Sequence, residues 1–461
     1  MTLPTEARSA EDLRSSLRSL VRLSTADYAT LDRLYPGLYP RIIVSGEGAY
    51  LVDSDGRRLL DSGAHMGACQ IGHGRVEVAK RLAAQSAAIE FTTLDAGLAH
   101  PYALELAARL APLVPVSGRP LFLFGTSGSE ANEMAFKVAR VFHAARGEGG
   151  RRKVLCRAGS YHGATFAAMA ATGIPAAREP FAPLPPGFVR VTQPSPGRCG
   201  YCSRGGPCTL ECAADVERAV EREGADTIAA FIGEPVAFRE GIKVPAPGYW
   251  PAIRKLCDRH GILLIVDEVI TGFGRTGRLF GLEHWGVDAD IVTLAKGLTS
   301  GYVPMSACVL SERVGSELRE HPMTHISTYA GHPFGCAAAL AALDILEGEE
   351  LTEHAASLEE LVRAEMVSLK KRQPSVVATS VIGLLGSIEL VLADGAKPAE
   401  VAATMAHEAY ERGMVARAAA EGSEAVFYFY PALVASEEDV RMAFSVFDEV
   451  IGQLRSRGLL G

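Results

Sequence analysis

Two short apolar runs, each closed by a charged residue, limit what this chain can fold into more than anything else in it. ILLIV at 262–266 is too short for a stable helix and stops at Asp267 and Glu268. IVTLA at 291–295 stops at Lys296, followed by the glycine-containing GLTSGYVP. Short runs rich in β-branched residues read as buried strands of a parallel sheet. Open α/β sheets gather ligands beyond the carboxyl ends of their strands, so the acid and the lysine are expected to face one crevice. One chemistry that uses such a pair is that of pyridoxal phosphate, with the lysine as Schiff base and the acid holding the pyridine nitrogen protonated.

At 461 residues the chain is too long for one compact core. Its net charge of −8 argues against nucleic acid or an anionic membrane as the main partner. Lysine is scarce, nine against 37 arginines, so a lysine at a strand end carries weight. No apolar run approaches the roughly 20 residues of a membrane span. The first residues lack an apolar signal core, and a cytoplasmic protein with reduced thiols is expected. The nine cysteines include Cys199, Cys202, Cys208 and Cys212 in a Gly/Pro-rich loop. Their spacing is not a standard zinc-ribbon pattern and no histidine stands near, so free thiols on a surface insertion are expected and no metal.

Taken in order, a polar N-terminal stretch carries a periodic segment at 10–23. Asp55-Gly56 between two apolar runs marks a hairpin. LFLF at 121–124 then meets a Gly/Ser/Thr loop and a helix with Ala131, Met134, Ala135 and Val138 at helical spacing. Glycines, hydroxyls and a helix N-terminus suit an anion, and Ser129 is the expected N-cap. KVLCRAGSYHG at 153–163 repeats the strand-then-loop form and sets Tyr161, able to stack on a flat ring, and His162 past its end. TIAAFI at 227–232 ends at Glu234, a further strand-end acid. Gly272, Gly274 and Gly277 match the dinucleotide fingerprint, but no clean helical period follows them, which argues against a Rossmann site. Beyond about residue 345, helices and strands alternate in an α+β pattern.

In order, SGSEANEMAFKVAR, SYHG, GEPV, ILLIVDEVITGFGRTG, TLAKGLTSGYVP and TYAGHP resemble the class III, or ω-, aminotransferases of the fold-type I pyridoxal phosphate enzymes. That resemblance implies an α/β large domain with a mostly parallel seven-stranded sheet sandwiched by helices, plus a smaller α+β domain. It divides the chain into an N-terminal arm and part of the small domain at 1–70, a cofactor domain at 71–340 and a C-terminal small domain at 341–461. It implies Lys296 as the Schiff-base lysine and proton shuttle, Asp267 on the pyridine nitrogen, and Val269 and Tyr161 against the two ring faces. It further implies Ser127, Gly128 and Ser129 as the phosphate loop, His162 and Glu234 beside the cofactor, and Thr328 as a phosphate contact given to the other subunit of a homodimer with active sites at the interface.

The implied reaction moves an amino group from an ω-amino acid, a β-amino acid or a primary amine to pyruvate or 2-oxoglutarate. An intramolecular aminomutase of the glutamate-1-semialdehyde type, or an amino-acid epimerase, shares the cofactor residues and stands as the alternative. Members that handle 2-oxoglutarate often carry an arginine before a Pro-Pro-Leu. Here that place is Tyr428, so the carboxylate clamp is missing and the expectation tilts to pyruvate. Arg417 aligns with a mobile arginine of the amine:pyruvate members, and His65 and Met66 are expected to line the substrate pocket.

Overall fold

A computed structural model of the chain describes residues 26–95, 97–196, 198–201 and 208–461. The periodic segment at 10–23 and Cys202 lie outside the described residues. The central sheet has seven strands in the spatial order Leu121–Gly125, Ser306–Leu310, Ile291–Leu294, Leu263–Asp267, Ile228–Gly233, Lys153–Arg157 and Phe188–Val191. Ser306–Leu310 runs antiparallel to both neighbours, and the other pairings are parallel.

Every residue of Ile228–Gly233, Leu263–Asp267 and Ile291–Leu294 is buried, as expected where helices cover both faces of a parallel sheet. Side chains alternate between the two faces. Leu263 and Ile265 pack with Met134, Ala135 and Val138 of the helix Gly128–Ala145, whereas Leu264 and Val266 join a second core with Trp250 and Ile253 of the helix Tyr249–His260. The helical spacing read at 131–138 is thus the buried face of that helix. The expected cap is corrected by two residues: Ser127, extended in backbone, accepts from the Glu130 N–H at 3.2 Å, while Ser129 already lies inside the helix. Its hydroxyl accepts instead from the Ala164 N–H at 3.0 Å, which ties the helix start to the loop after Tyr161.

The C-terminal part forms an antiparallel sheet ordered Val376–Ile382, Leu385–Val391, Glu424–Phe429 and Arg417–Glu421. Helices Leu351–Arg372, Pro398–Glu411 and Glu437–Ser456 pack on it. A third sheet joins the two ends of the chain. The N-terminal strands Ile43–Glu47, Tyr50–Asp53 and Arg58–Asp61 form a meander, and Met414–Val415 pairs in parallel with the last of them. The turn between the second and third strands holds Gly56 at φ +80°, where the expected Asp-Gly hairpin falls.

Residues 272–277 form turns rather than a helix start, in keeping with the rejection of a dinucleotide fold. Among the described residues no helix is long and apolar enough to cross a membrane. Cys199 and Cys212 are buried and Cys208 is partly exposed, and among the described residues no three metal-ligating side chains come together.

Candidate active site

Strand register brings the two organising residues together. Asp267, the last residue of its strand, lies beside Thr293 of the neighbouring strand, and Lys296 follows three residues on. There the backbone breaks into a short 3-10 turn, with Lys296 itself at φ +42°. A residue with a Cβ in that left-handed region stores strain of order 1–3 kcal/mol, which the surrounding fold has to hold. Lys296 and Asp267 line one cavity of about 180 Å³ together with Gly128, Ser129, Tyr161, His162 and Glu234.

Asp267 is almost fully buried, and its carboxylate is fixed by hydrogen bonds. Oδ2 accepts the His162 Nδ1–H at 2.8 Å and an Asn132 Nδ2–H at 2.8 Å, and Oδ1 accepts the Val269 N–H at 3.1 Å. Burial pushes the Lys296 amine down to about 8, against the opposing pull of Asp267 and Glu234. An amine so placed is neutral in a far larger share near neutral pH than an ordinary lysine, and so more available as a nucleophile or base.

Glu234 is buried beside them, and burial raises its carboxyl above the usual range. Among the described residues its Oε2 has no hydrogen-bond partner; it lies 3.6 Å from Arg157 Nη2, and that guanidinium donates to the Glu234 backbone carbonyl at 2.5 Å. Gly128 opens the helix Gly128–Ala145 against Val269: a Cβ there would sit 3.0 Å from both Val269 methyls. The first N–H groups of this 18-residue helix, beyond its Ser127 cap, lack intrahelical partners, and with the helix dipole they favour an anion. Tyr161 stands half exposed at the cavity wall, opposite in kind to the branched Val269.

Eight of the expected residues therefore meet in one cavity: Gly128, Ser129, Tyr161, His162, Glu234, Asp267, Val269 and Lys296. Ser127 caps the adjoining helix. Thr328 sits apart, exposed on the loop before the helix Pro333–Gly348. His65 and Met66 do not line the cavity. They form a left-handed turn with Ala64 and Gly67, held by Asp61, whose carboxylate accepts from the N–H groups of Gly63 and His65 and from His73 Nε2. That turn backs onto the wall, since a Cβ on Gly67 would lie 3.4 Å from Ile270. Arg417 and Tyr428 pair across two strands of the C-terminal sheet, and Tyr428 is fully buried. Asn132, Phe238 and Ile270 line the cavity without having been read from sequence. Asn132 carried a signal, a polar side chain amid the buried face of an apolar helix, whereas Phe238 and Ile270 carried none.

A buried acid, a lysine of lowered basicity, an aromatic wall and a helix N-terminus, all on one small cavity, match in kind the pyridine nitrogen, aldehyde, ring and phosphate of pyridoxal phosphate. The family model "Aminotransferase class-III" matches residues 36–451. A diaminobutyrate–2-oxoglutarate transaminase of Halomonas elongata is 34% identical over 414 residues, 87% of each chain. A putrescine–pyruvate aminotransferase of Pseudomonas aeruginosa is 35% identical over 76% of this chain and 77% of its own. Among solved structures, an (S)-enantioselective ω-transaminase from Thermomicrobium roseum superposes with TM-score 0.90 at 37% identity, covering 97% of this chain and all of that one. An amine transaminase from an uncultivated Pseudomonas species in its PLP-bound form gives TM-score 0.84 at 33% identity over 90% of this chain and 95% of its own.

Proposed function

The chain belongs to the class III aminotransferase family, and from that premise we propose which of its residues do the chemistry and which substrates it takes. It is a pyridoxal phosphate-dependent aminotransferase acting on ω- or primary amines with a keto acid. Bound in the cavity, the cofactor supplies an electron sink for the charge left when a proton leaves the carbon bearing the amine.

The residues' parts follow from their chemistry. Lys296 Nζ holds the cofactor, and once released it is the base that takes that proton and the acid that returns it. Asp267 keeps a negative charge at the ring nitrogen, and His162 holds Asp267 in place. Val269 and Tyr161 confine the ring between a branched side chain and an aromatic one. Ser127, Gly128 and Ser129 offer the phosphate a helix N-terminus. The observation that carries this reading is the pairing of Lys296 with the buried Asp267 across one cavity.

The donor is an amine or ω-amino acid whose far end is not a tightly clamped carboxylate. Among the described residues lining the cavity Lys296 is the only lysine or arginine, and Phe238 and Ile270 present apolar surface. At the place of the family's carboxylate-binding arginine stands Tyr428, whose hydroxyl donates to Glu421 Oε1 at 2.9 Å and accepts from the Gly241 N–H at 3.2 Å. Pyruvate is accordingly the favoured acceptor. Arg417, whose side chain lies near Tyr430, is the candidate for the keto acid's own carboxylate.

The enzyme works as a homodimer in which Thr328 reaches the partner's phosphate site. Supporting this, Thr328 is exposed between Ile326, 77% exposed, and Tyr329, 58% exposed, a pair of large apolar groups costly to leave in water. A steady-state assay over a panel of ω-amino acids, diamines and arylalkylamines, each with pyruvate and with 2-oxoglutarate, tests the substrate reading. Turnover with dicarboxylic donors alone would refute it. Light scattering of the purified protein tests the dimer, and a monomeric mass at full activity would refute that part.

A further inference from the structure

We propose that Asn132, braced by Thr293, is the positioning residue that holds the carboxylate plane of Asp267 so that one oxygen is left free to face the cofactor's ring nitrogen. The inference rests on the role given to Asp267 above. Asn132 lies on the helix Gly128–Ala145 and is 1% exposed, in a face otherwise made of Ala131, Met134, Ala135 and Val138. A polar side chain in such a face costs free energy unless its groups are paired. Here they all are. One Nδ2 hydrogen goes to Asp267 Oδ2 at 2.8 Å, the other to the His162 carbonyl at 2.7 Å, and Oδ1 accepts the Thr293 hydroxyl at 2.9 Å.

Only one orientation of the amide satisfies this set. Turned over, Oδ1 would face two acceptors, the Asp267 carboxylate and the His162 carbonyl, and the NH₂ would face the hydroxyl that now donates. The two obligate acceptors thereby set the amide and the Thr293 hydroxyl braces it by donating to Oδ1, while Thr293 is itself fixed as the fully buried residue in register beside Asp267. The consequence falls on the carboxylate. Oδ2 is occupied by two donors, Asn132 and His162, while Oδ1 holds a single backbone N–H, that of Val269. The two oxygens are equivalent, so a half-turn restores the same set, whereas a tilt of the carboxylate plane away from Asn132, His162 and Val269 strains all three bonds at once. The oxygen at the Oδ1 position thus has capacity to spare, and the donors on the other oxygen oppose any tilt of the carboxylate plane that would turn it from the ring. A helix, two strands and a loop converge to orient one group.

The test uses Asn132→Ala, Thr293→Val and Asp267→Asn in the full-length protein. Two readouts do not depend on turnover: pyridoxal phosphate affinity of the apo-protein by fluorescence quenching, and the pH titration of the bound cofactor's visible band. Steady-state kinetics with one amine and pyruvate supplies a third. Asn132→Ala is expected to weaken cofactor binding about 10-fold and lower kcat about 10-fold or more, with KM for the amine moving less than about 3-fold. The visible band should titrate at an altered pH. Thr293→Val, which keeps the shape of the site and removes only the brace, is expected to shift the same readouts by about 3-fold, and it decides the matter if Asn132→Ala does not fold. A merely structural role would lower the melting temperature of the apo-protein and leave the titration and cofactor affinity unchanged; that result overturns the proposal. If Asp267→Asn is crippled while both other variants match wild type in all three readouts, the Asn132 proposal alone fails. If Asp267→Asn also matches wild type, the role of Asp267 fails with it.

Discussion

Arg239 and Tyr428 meet on one oxygen. Arg239 Nε lies 2.9 Å from Glu421 Oε1, and the Tyr428 hydroxyl donates to the same atom at 2.9 Å. Glu421 is buried, so the guanidinium on the loop after Glu234 is neutralised where it stands. Phe238, next to Arg239, stacks on Tyr428 with ring centroids 4.6 Å apart and closes the cavity with an apolar face.

Among the described residues lining the cavity, a far carboxylate arriving at this wall finds no arginine, and Arg239 behind it is held by Glu421. We expect kcat/KM for pyruvate to exceed that for 2-oxoglutarate by about 10-fold or more, equivalent to about 1.4 kcal/mol. Steady-state rates with a common amine donor check it, and equal efficiency for the two acceptors would refute the missing clamp.

The lowered basicity of Lys296 predicts how the apo-protein takes up its cofactor. Only the neutral amine attacks an aldehyde, and burial holds this amine near about 8. The rate of pyridoxal phosphate uptake should rise with pH through about 8 and level off above it. Stopped-flow absorbance over pH 6–10 measures this, where a rate still climbing steeply at the top of that range would indicate an ordinary lysine.

Glu268, the acid next to Asp267, serves the fold rather than the cavity. Its carboxylate accepts from the N–H groups of Gly281 and Leu282 at 2.9 and 2.8 Å and from the Thr271 hydroxyl. Burial nonetheless pushes its carboxyl up to about 7. With the folded value above the unfolded one, the folded state binds more protons between about pH 4.5 and 7. Stability from this group is full below about 4.5 and is lost as pH rises through about 7. Glu268→Gln should flatten the fall of melting temperature across that window, as calorimetry at a series of pH values would detect.

The turn at Ala64, His65, Met66 and Gly67 runs through four left-handed residues. Gly67 at φ +73° is the one whose type suits the conformation, and it lies against Ile270 of the cavity wall. Gly67→Ala should cost about 1–2 kcal/mol in urea unfolding. By disturbing Ile270, it should also raise KM for bulky amines more than kcat falls.

How much of this was open to sequence depends on the range of the interactions. The strands that end at Asp267 and just before Lys296 are legible because burial on both faces writes an unbroken apolar run, and the helix after Ser127 because its buried face repeats with the helical period. The cap was misplaced because Ser127 and Ser129 are chemically alike, and only backbone angles separate them. Asn132, Thr293 and Asp267 are far apart in the chain, so the hydrogen bonds that orient the acid left no local pattern. The same holds for Phe238 and Ile270, whose identity as wall residues comes from the packing of distant segments.

The most direct test of the central claim is the visible spectrum of the full-length protein loaded with pyridoxal phosphate, recorded as a single amine is added without keto acid, beside Lys296→Ala. The account predicts a lysine-dependent band that one equivalent of amine per site discharges and that pyruvate restores. A band unaffected by Lys296→Ala, or one that survives repeated turnover of a single amino compound with no keto acid present, would contradict it.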